Sequence, residues 1–305
     1  MGRLSVNLCG EELDNPVIPA SGTFGYGYEF AELYDINCLG TFSFKGTTKE
    51  PRFGNPTPRI AECTAGMINA VGLQNPGVDK VISEELPRLK KCFNKKVMAN
   101  VSGFSIDEYA YTCEKLDSQE QVGWLEVNVS CPNVANLTSL QDKNNLNEIL
   151  RGLIEFRRGQ NQYRPILLKI SPDLTTEQID DMISVLIESG LDGIVATNTT
   201  THRDGLQTDP ETVASIGKGG LSGAPLTKRS IEVVRYIHKK TEGRFPIIGV
   251  GGIMTEEDAV AMLQAGASLI QIYTGFIYNG PSFVKRICKR LRKEAEKKPD
   301  TQPNT

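Results

Sequence analysis

Short β-rich runs recur along this chain, and each is followed by a segment whose apolar residues return at helical spacing. The pattern repeats eight times, the signature of βα units feeding one parallel sheet. The strands are expected at Pro16 to Ala20, Thr41 to Phe44, Val97 to Val101, Trp124 to Asn128, Ile166 to Ile170, Gly193 to Thr197, Pro246 to Val250 and Leu269 to Tyr273. Helices are expected to start near Tyr28, Val78, Ile106, Asn144, Thr176, Leu226, Thr255 and Pro281. Three of these starts carry capping and acidic residues: Ser105, Thr175-Thr176-Glu177 and Thr255-Glu256-Glu257-Asp258.

Eight βα units in 305 residues with no evident linker fit a single α/β domain, a closed (β/α)8 TIM barrel over residues 1–298. Pro299 to Thr305 reads as a polar, disordered tail. Leu4 to Leu13, around Cys9-Gly10, reads either as a hairpin covering the lower mouth or as a frayed arm. Two connections are long, Gly46 to Gly77 and Thr199 to Pro225, and loops of that length at the C-terminal face of a compact domain are usually functional.

The formal net charge of -3 provides no basic field for nucleic acid, and no apolar run approaches the length of a membrane span. A soluble, cytoplasmic protein is expected. Seven cysteines are scattered without a Cys-x-x-Cys pair, which argues against a disulfide framework, a zinc site or an iron–sulfur cluster within the chain.

The carboxyl ends of barrel strands converge on one face. Here they supply Ser21-Gly22, Lys45-Gly46, Asn100, Asn128, Lys169, Asn198, Gly251-Gly252 and Thr274. Two lysines and three asparagines with almost no acidic residue suit an anionic ligand rich in hydrogen-bonding groups. No carboxylate–histidine cluster accompanies them, so metal hydrolysis and glycosidase chemistry are disfavoured; His202 and His238 receive no catalytic role. Gly219 to Gly223 and Gly249 to Gly252 offer backbone N–H groups for a phosphate-bearing cofactor late in the barrel. Asn69 either binds a substrate carbonyl or carboxylate or stabilises its turn. Asn128-Val129-Ser130-Cys131-Pro132-Asn133 ends the fourth strand with a thiol between two amides, which makes Cys131 the leading candidate for proton transfer.

The motifs Ala20-Ser21-Gly22-Thr23-Phe24-Gly25, Phe44-Lys45-Gly46-Thr47-Thr48, Gly54-Asn55-Pro56, Asn128 to Asn133, Thr197-Asn198-Thr199-Thr200, Gly219 to Gly223 and Ile248 to Ile253 closely resemble those of dihydroorotate dehydrogenase over residues 4–292. The resemblance implies an FMN-dependent barrel that oxidises dihydroorotate to orotate in pyrimidine synthesis, with Cys131 as the base. It places substrate at Lys45, Asn69, Gly72, Leu73, Asn128, Asn133, Asn198 and Thr199. It places FMN at Ser21, Gly22, Lys45, Gly46, Asn100, Asn128, Lys169, Thr197, Ser222, Gly223, Gly251, Gly252, Tyr273 and Thr274.

Up to about Val134 the wording resembles class 1B. From Leu137 onward, as in Ser171-Pro172-Asp173-Leu174 and Gln271-Ile272-Tyr273-Thr274, it resembles class 2. Class 1B resemblance implies a homodimeric core and a partner subunit that carries FAD and a [2Fe-2S] cluster and passes electrons to NAD. Class 1A would use fumarate and class 2 quinone; a related flavin barrel acting on another pyrimidine and a non-catalytic barrel that binds a phosphate ligand are the remaining alternatives.

Overall fold

The computed structural model describes residues 4–129, 143–159 and 163–297. Cys131, Asn133 and the tail at 299–305 lie outside the described residues. The strands, in chain order, are β1 (Val6–Leu8), β2 (Glu11–Leu13), β3 (Val17–Pro19), β4 (Ile60–Cys63), β5 (Gly66–Asn69), β6 (Val97–Val101), β7 (Val122–Asn128), β8 (Ile166–Ile170), β9 (Gly193–Ala196), β10 (Gly220–Gly223), β11 (Ile247–Val250) and β12 (Leu269–Ile272).

Seven of these pair in parallel in the order β3-β12-β11-β9-β8-β7-β6. The expected strand at Thr41 to Phe44 forms no continuous ladder, but its backbone closes the ring. Ser43 N–H donates to Pro19 O on β3 at 3.0 Å and Phe44 N–H to Met98 O on β6 at 3.0 Å. Further along, Thr47 N–H donates to Asn100 O at 2.9 Å. The fold is therefore a TIM barrel whose eighth strand is reduced to bridges.

Strand periodicity sorts the apolar residues into two cores. Outward residues such as Val97, Ala99 and Val101, Leu125 and Val127, and Ile166, Leu168 and Ile170 join the helices in the large outer core. Inward residues Ile18, Met98, Trp124, Leu167, Val195, Ile248 and Leu269 fill the barrel's lower end with Leu8 and Leu13. The last two come from the β1–β2 hairpin, so the hairpin reading of residues 4–13 holds and the frayed-arm reading does not. Its turn places Cys9 and Gly10 at φ 52° and 93°, the left-handed conformation that a two-residue hairpin loop requires. Trp124 Nε1 donates to Leu8 O at 3.2 Å, tying the plug to the floor.

The outer helices begin close to the expected places, with the expected caps. The Ser105 hydroxyl accepts from Glu108 N–H, and Thr175 and Thr255 form reciprocal capping boxes with Gln178 and Asp258. The first helix is only one turn, Tyr28–Ala31. The second runs from Val78 to Leu89 through a widened turn at Val81–Glu85. Pro87 follows that turn, and its missing N–H cannot continue a regular i→i−4 ladder.

The two long connections are structured. Residues of the first form β4 and β5, and β10 from the second pairs antiparallel with β5, so that Asn69 faces Gly220 and Gly66 faces Gly223. The second connection also contains the helix Pro210–Ile216. Ile68, Ala70, Ile216 and Leu221 form a small core of their own within this cap.

Candidate active site

Inward residues change character one pleat above the apolar floor. Glu126 follows Trp124 by two positions, shares its face of β7, and is 0% exposed. Its Oε1 accepts from Asn100 Nδ2 at 2.6 Å and from Lys169 Nζ at 2.8 Å. Oε2 accepts from Gln271 Nε2 at 2.6 Å, and Gln271 Oε1 in turn accepts from Lys169 Nζ at 3.3 Å. Four strands thus contribute one buried, paired network, which is how ionised groups persist away from water. Two residues further along β7, Asn128 Oδ1 accepts from Asn198 Nδ2 at 3.2 Å.

Above the network opens a cavity at the barrel mouth. Every described residue that the resemblance assigns to substrate or FMN lines it: Ser21 and Gly22 after β3, Lys45 and Gly46 after the closing segment, and Asn69, Gly72 and Leu73 from the cap. Asn100, Asn128 and Lys169 stand on the barrel wall with Thr197, Asn198 and Thr199, and Ser222, Gly223, Gly251, Gly252, Tyr273 and Thr274 complete the ring. Residues distant in sequence meet because parallel strands present their carboxyl ends to the same side.

Two sequence expectations need correction. The strand-end region is not almost free of acid, since Glu126 lies directly beneath the cavity lysine; a charged residue inside a buried apolar strand was the available signal. Gln271, a polar residue inside the buried strand Leu269–Ile272, was missed as well. In addition, the glycine-rich stretch at 219–223 is largely strand. Leu221 N–H donates to Thr200 O at 2.7 Å, so only its Ser222–Gly223 end serves the cavity. There Ser222 Oγ donates to Met67 O at 3.2 Å and accepts from Thr274 Oγ1 at 2.7 Å.

Gly251 and Gly252 have φ of 111° and 76°, and a side chain on either would strike the helix Thr227–Thr241: a Cβ would fall 2.3 Å from Ser230 Oγ or from Thr227 N. Glycine therefore lets the end of β11 press against that helix start while its backbone edges the cavity. At Gly46 a Cβ would lie 2.7 Å from Asn100 Oδ1, so glycine also keeps that amide oxygen uncovered. Burial raises the Tyr273 phenol above its usual value and keeps it a proton donor. Burial likewise pushes Cys9 up to about 12 and Cys288 up to about 11 and raises the other described thiols, Cys38, Cys63, Cys92 and Cys113. None of these six suits proton abstraction near neutrality.

The family profile described as dihydroorotate dehydrogenase matches residues 3–294. The chain belongs to the dihydroorotate dehydrogenase family. It is an oxidoreductase of that family. Among relatives of this family, the catalytic subunit of dihydroorotate dehydrogenase B (NAD(+)) from Geobacillus kaustophilus is 40% identical over 284 residues, covering 90% of this chain and 85% of the relative. A dihydroorotate dehydrogenase (quinone) from Christiangramia forsetii is 39% identical over 298 residues, covering 95% and 84%. The crystal structure of ligand-free dihydroorotate dehydrogenase from Eimeria tenella superposes with a TM-score of 0.84 at 28% identity, over 97% of this chain and 88% of that one. No helix among the described residues is long and apolar enough to cross a membrane.

Proposed function

We propose that the chain oxidises (S)-dihydroorotate to orotate in pyrimidine synthesis, with FMN in the cavity at the barrel mouth. The observation that carries this reading is the convergence, on one cavity lined by lysines, amides and glycine backbone, of every described residue that the resemblance assigns to substrate or FMN. The residues suit FMN. Backbone around Ser222–Gly223 and Gly251–Gly252 provides the donors a phosphate needs. Lys169, Asn100 and Lys45 provide polar partners for a ring system, and Gly22, Gly46 and Tyr273 shape its slot. Bound FMN supplies a two-electron acceptor.

Dihydroorotate is a carboxylate with an amide-rich ring. Asn69, Asn128, Asn133 and Asn198 can pair with its carbonyl and N–H groups, while Lys45, Thr199 and the backbone of Gly72 and Leu73 hold its anionic side. Cys131 as its thiolate then removes one ring proton; a thiol reaches that basic form near neutrality far more readily than an alcohol.

Purified protein should be yellow with one FMN and should bleach anaerobically on addition of dihydroorotate. Bleaching by a different pyrimidine and not by dihydroorotate would overturn the substrate assignment. Cys131→Ser should slow that bleaching most at neutral pH and recover as pH rises. Equal rates across pH would remove Cys131 from the chemistry.

For the electrons' onward path we infer a partner subunit with FAD and a [2Fe-2S] cluster that reduces NAD, docked on a homodimeric core. Support comes from the class 1B wording around Cys131 and from relatives named as NAD(+) B-type catalytic subunits. The quinone-type relative keeps a second route specific. An acceptor screen with fumarate, quinone, and NAD with and without such a partner separates them.

A further inference from the structure

We propose that Glu126 is a positioning residue whose carboxylate dictates which way the Asn100 amide and the Lys169 ammonium face the cavity, and hence the donor and acceptor pattern that the cavity floor offers a bound ring. This rests on the flavin reading above. A carboxylate can only accept hydrogen bonds, so the group that Asn100 turns toward Glu126 at 2.6 Å must be its NH2. The amide oxygen is then forced the other way, to the cavity edge beside Gly46. Gln271 is oriented by the same logic, with its NH2 on Glu126 and its oxygen on Lys169.

Lys169 has three N–H bonds to give. Glu126 and Gln271 take two, and Lys169 lines the cavity where the third is available. The floor therefore reads acceptor at Asn100 and donor at Lys169. That pattern complements an imide edge, in which an N–H stands beside a carbonyl, as in the pyrimidine half of a flavin. A neutral amide in place of Glu126 has only one oxygen: turned to Asn100 and Lys169, it would set its own NH2 against the Gln271 NH2 from which Oε2 now accepts, so it could not hold all three neighbours in this sense. A fully buried charge is also an expensive way to fill space, since apolar groups of similar volume often serve stability equally well.

The experiment measures FMN affinity and the midpoint potential of bound flavin in the wild type, in Glu126→Gln, and in the exchanged pair Glu126→Gln with Asn100→Asp. Glu126→Gln should weaken FMN about tenfold or more, on the scale of a lost charge-assisted hydrogen bond. It should also move the flavin potential to a more positive value, because a buried negative charge near the ring has been removed. The exchanged pair keeps one carboxylate in the network, at position 100, whose amide in the wild type shares a Glu126 oxygen with Lys169, and an acceptor facing Gly46. It should regain most of the affinity and return the potential toward the wild type, and it serves as the folded variant if Glu126→Gln alone does not fold.

A Glu126→Gln protein with unchanged affinity and potential would overturn the role of Glu126. So would a folded exchanged pair that binds FMN no better than Glu126→Gln or, where that variant is unfolded, binds none. Weakened affinity at an unchanged potential would also overturn it, leaving a packing role alone. A wild type that takes up no FMN would sink the flavin reading itself and this inference with it.

Discussion

Trp124 and Glu126 share one strand and one face, two residues apart, yet they belong to different halves of the molecule. Around Trp124 the inward side chains are apolar and close on the β1–β2 plug. Around Glu126 they are charged or amide-bearing and open on the cavity. One pleat therefore separates packing from chemistry. The lower layer stabilises the barrel by excluding water, and the layer above it holds a few polar groups in fixed directions at some cost in desolvation. Conversely, a change in either layer should register mainly in its own measurement.

Trp124→Ala is the strongest way to break that separation. It opens a large hole between the plug and the floor and removes the bond to Leu8, so unfolding free energy in urea should fall by about 3–5 kcal/mol. The folded fraction should still bind FMN within about twofold of the wild type, as distant sites usually behave independently. A large loss of affinity per folded molecule would show that the two layers are coupled. Asn128→Ala reverses the expectation. It removes a cavity amide that accepts from Asn198, and kcat/KM for dihydroorotate should fall about ten- to a hundredfold, as expected for one or two lost hydrogen bonds. Its urea midpoint should barely move.

How far the two layers were legible follows from the range of the signals that encode them. The strand positions, the capped helices and the convergence of strand ends were readable, because alternation and capping are local and a parallel barrel brings strand ends together automatically. Lys169 was readable as a cavity residue, but Glu126 beneath it was not, since its meaning lies in partners 26, 43 and 145 positions away. The cap failed for a similar reason. Gly66–Asn69 is too short to announce a strand, and it pairs on one side with Ile60–Cys63 and on the other with residues more than 150 positions later. At Thr41 to Phe44 the opposite happened: a local β signal was present, but the backbone bonds to β3 and β6 without forming a ladder.

The outer helices supply a control for both layers. Thr255→Ala deletes a capping box in which Asp258 N–H donates to Thr255 Oγ1 at 3.1 Å and Thr255 N–H donates back to Asp258 Oδ2 at 2.8 Å. Stability should drop by about 1 kcal/mol, with FMN affinity and turnover unchanged. A change in turnover would mean that helix starts transmit to the cavity, and the contrast between floor and upper layer would then be too simple.

The smallest expected effect is also the one with a pH signature. Arg286 Nε donates to Glu256 Oε1 at 2.6 Å, and that bond holds the Glu256 carboxyl below its ordinary value near 4.5. A depressed folded value means that the contribution is fully present above the ordinary carboxylate range and is lost as pH falls through the folded value. The pair is partly exposed, so solvent screening limits it to less than about 1 kcal/mol. Arg286→Met also deletes bonds to Asn279 and Ser282, but those losses are the same at every pH. The wild type and variant should therefore differ most near neutrality and converge partly on acidification below about 4.5, with the pH-dependent part shrinking in 1 M salt. A difference that is flat with pH would assign the whole effect to the neutral bonds and leave the Glu256 pair without a measurable share in holding the outer ring.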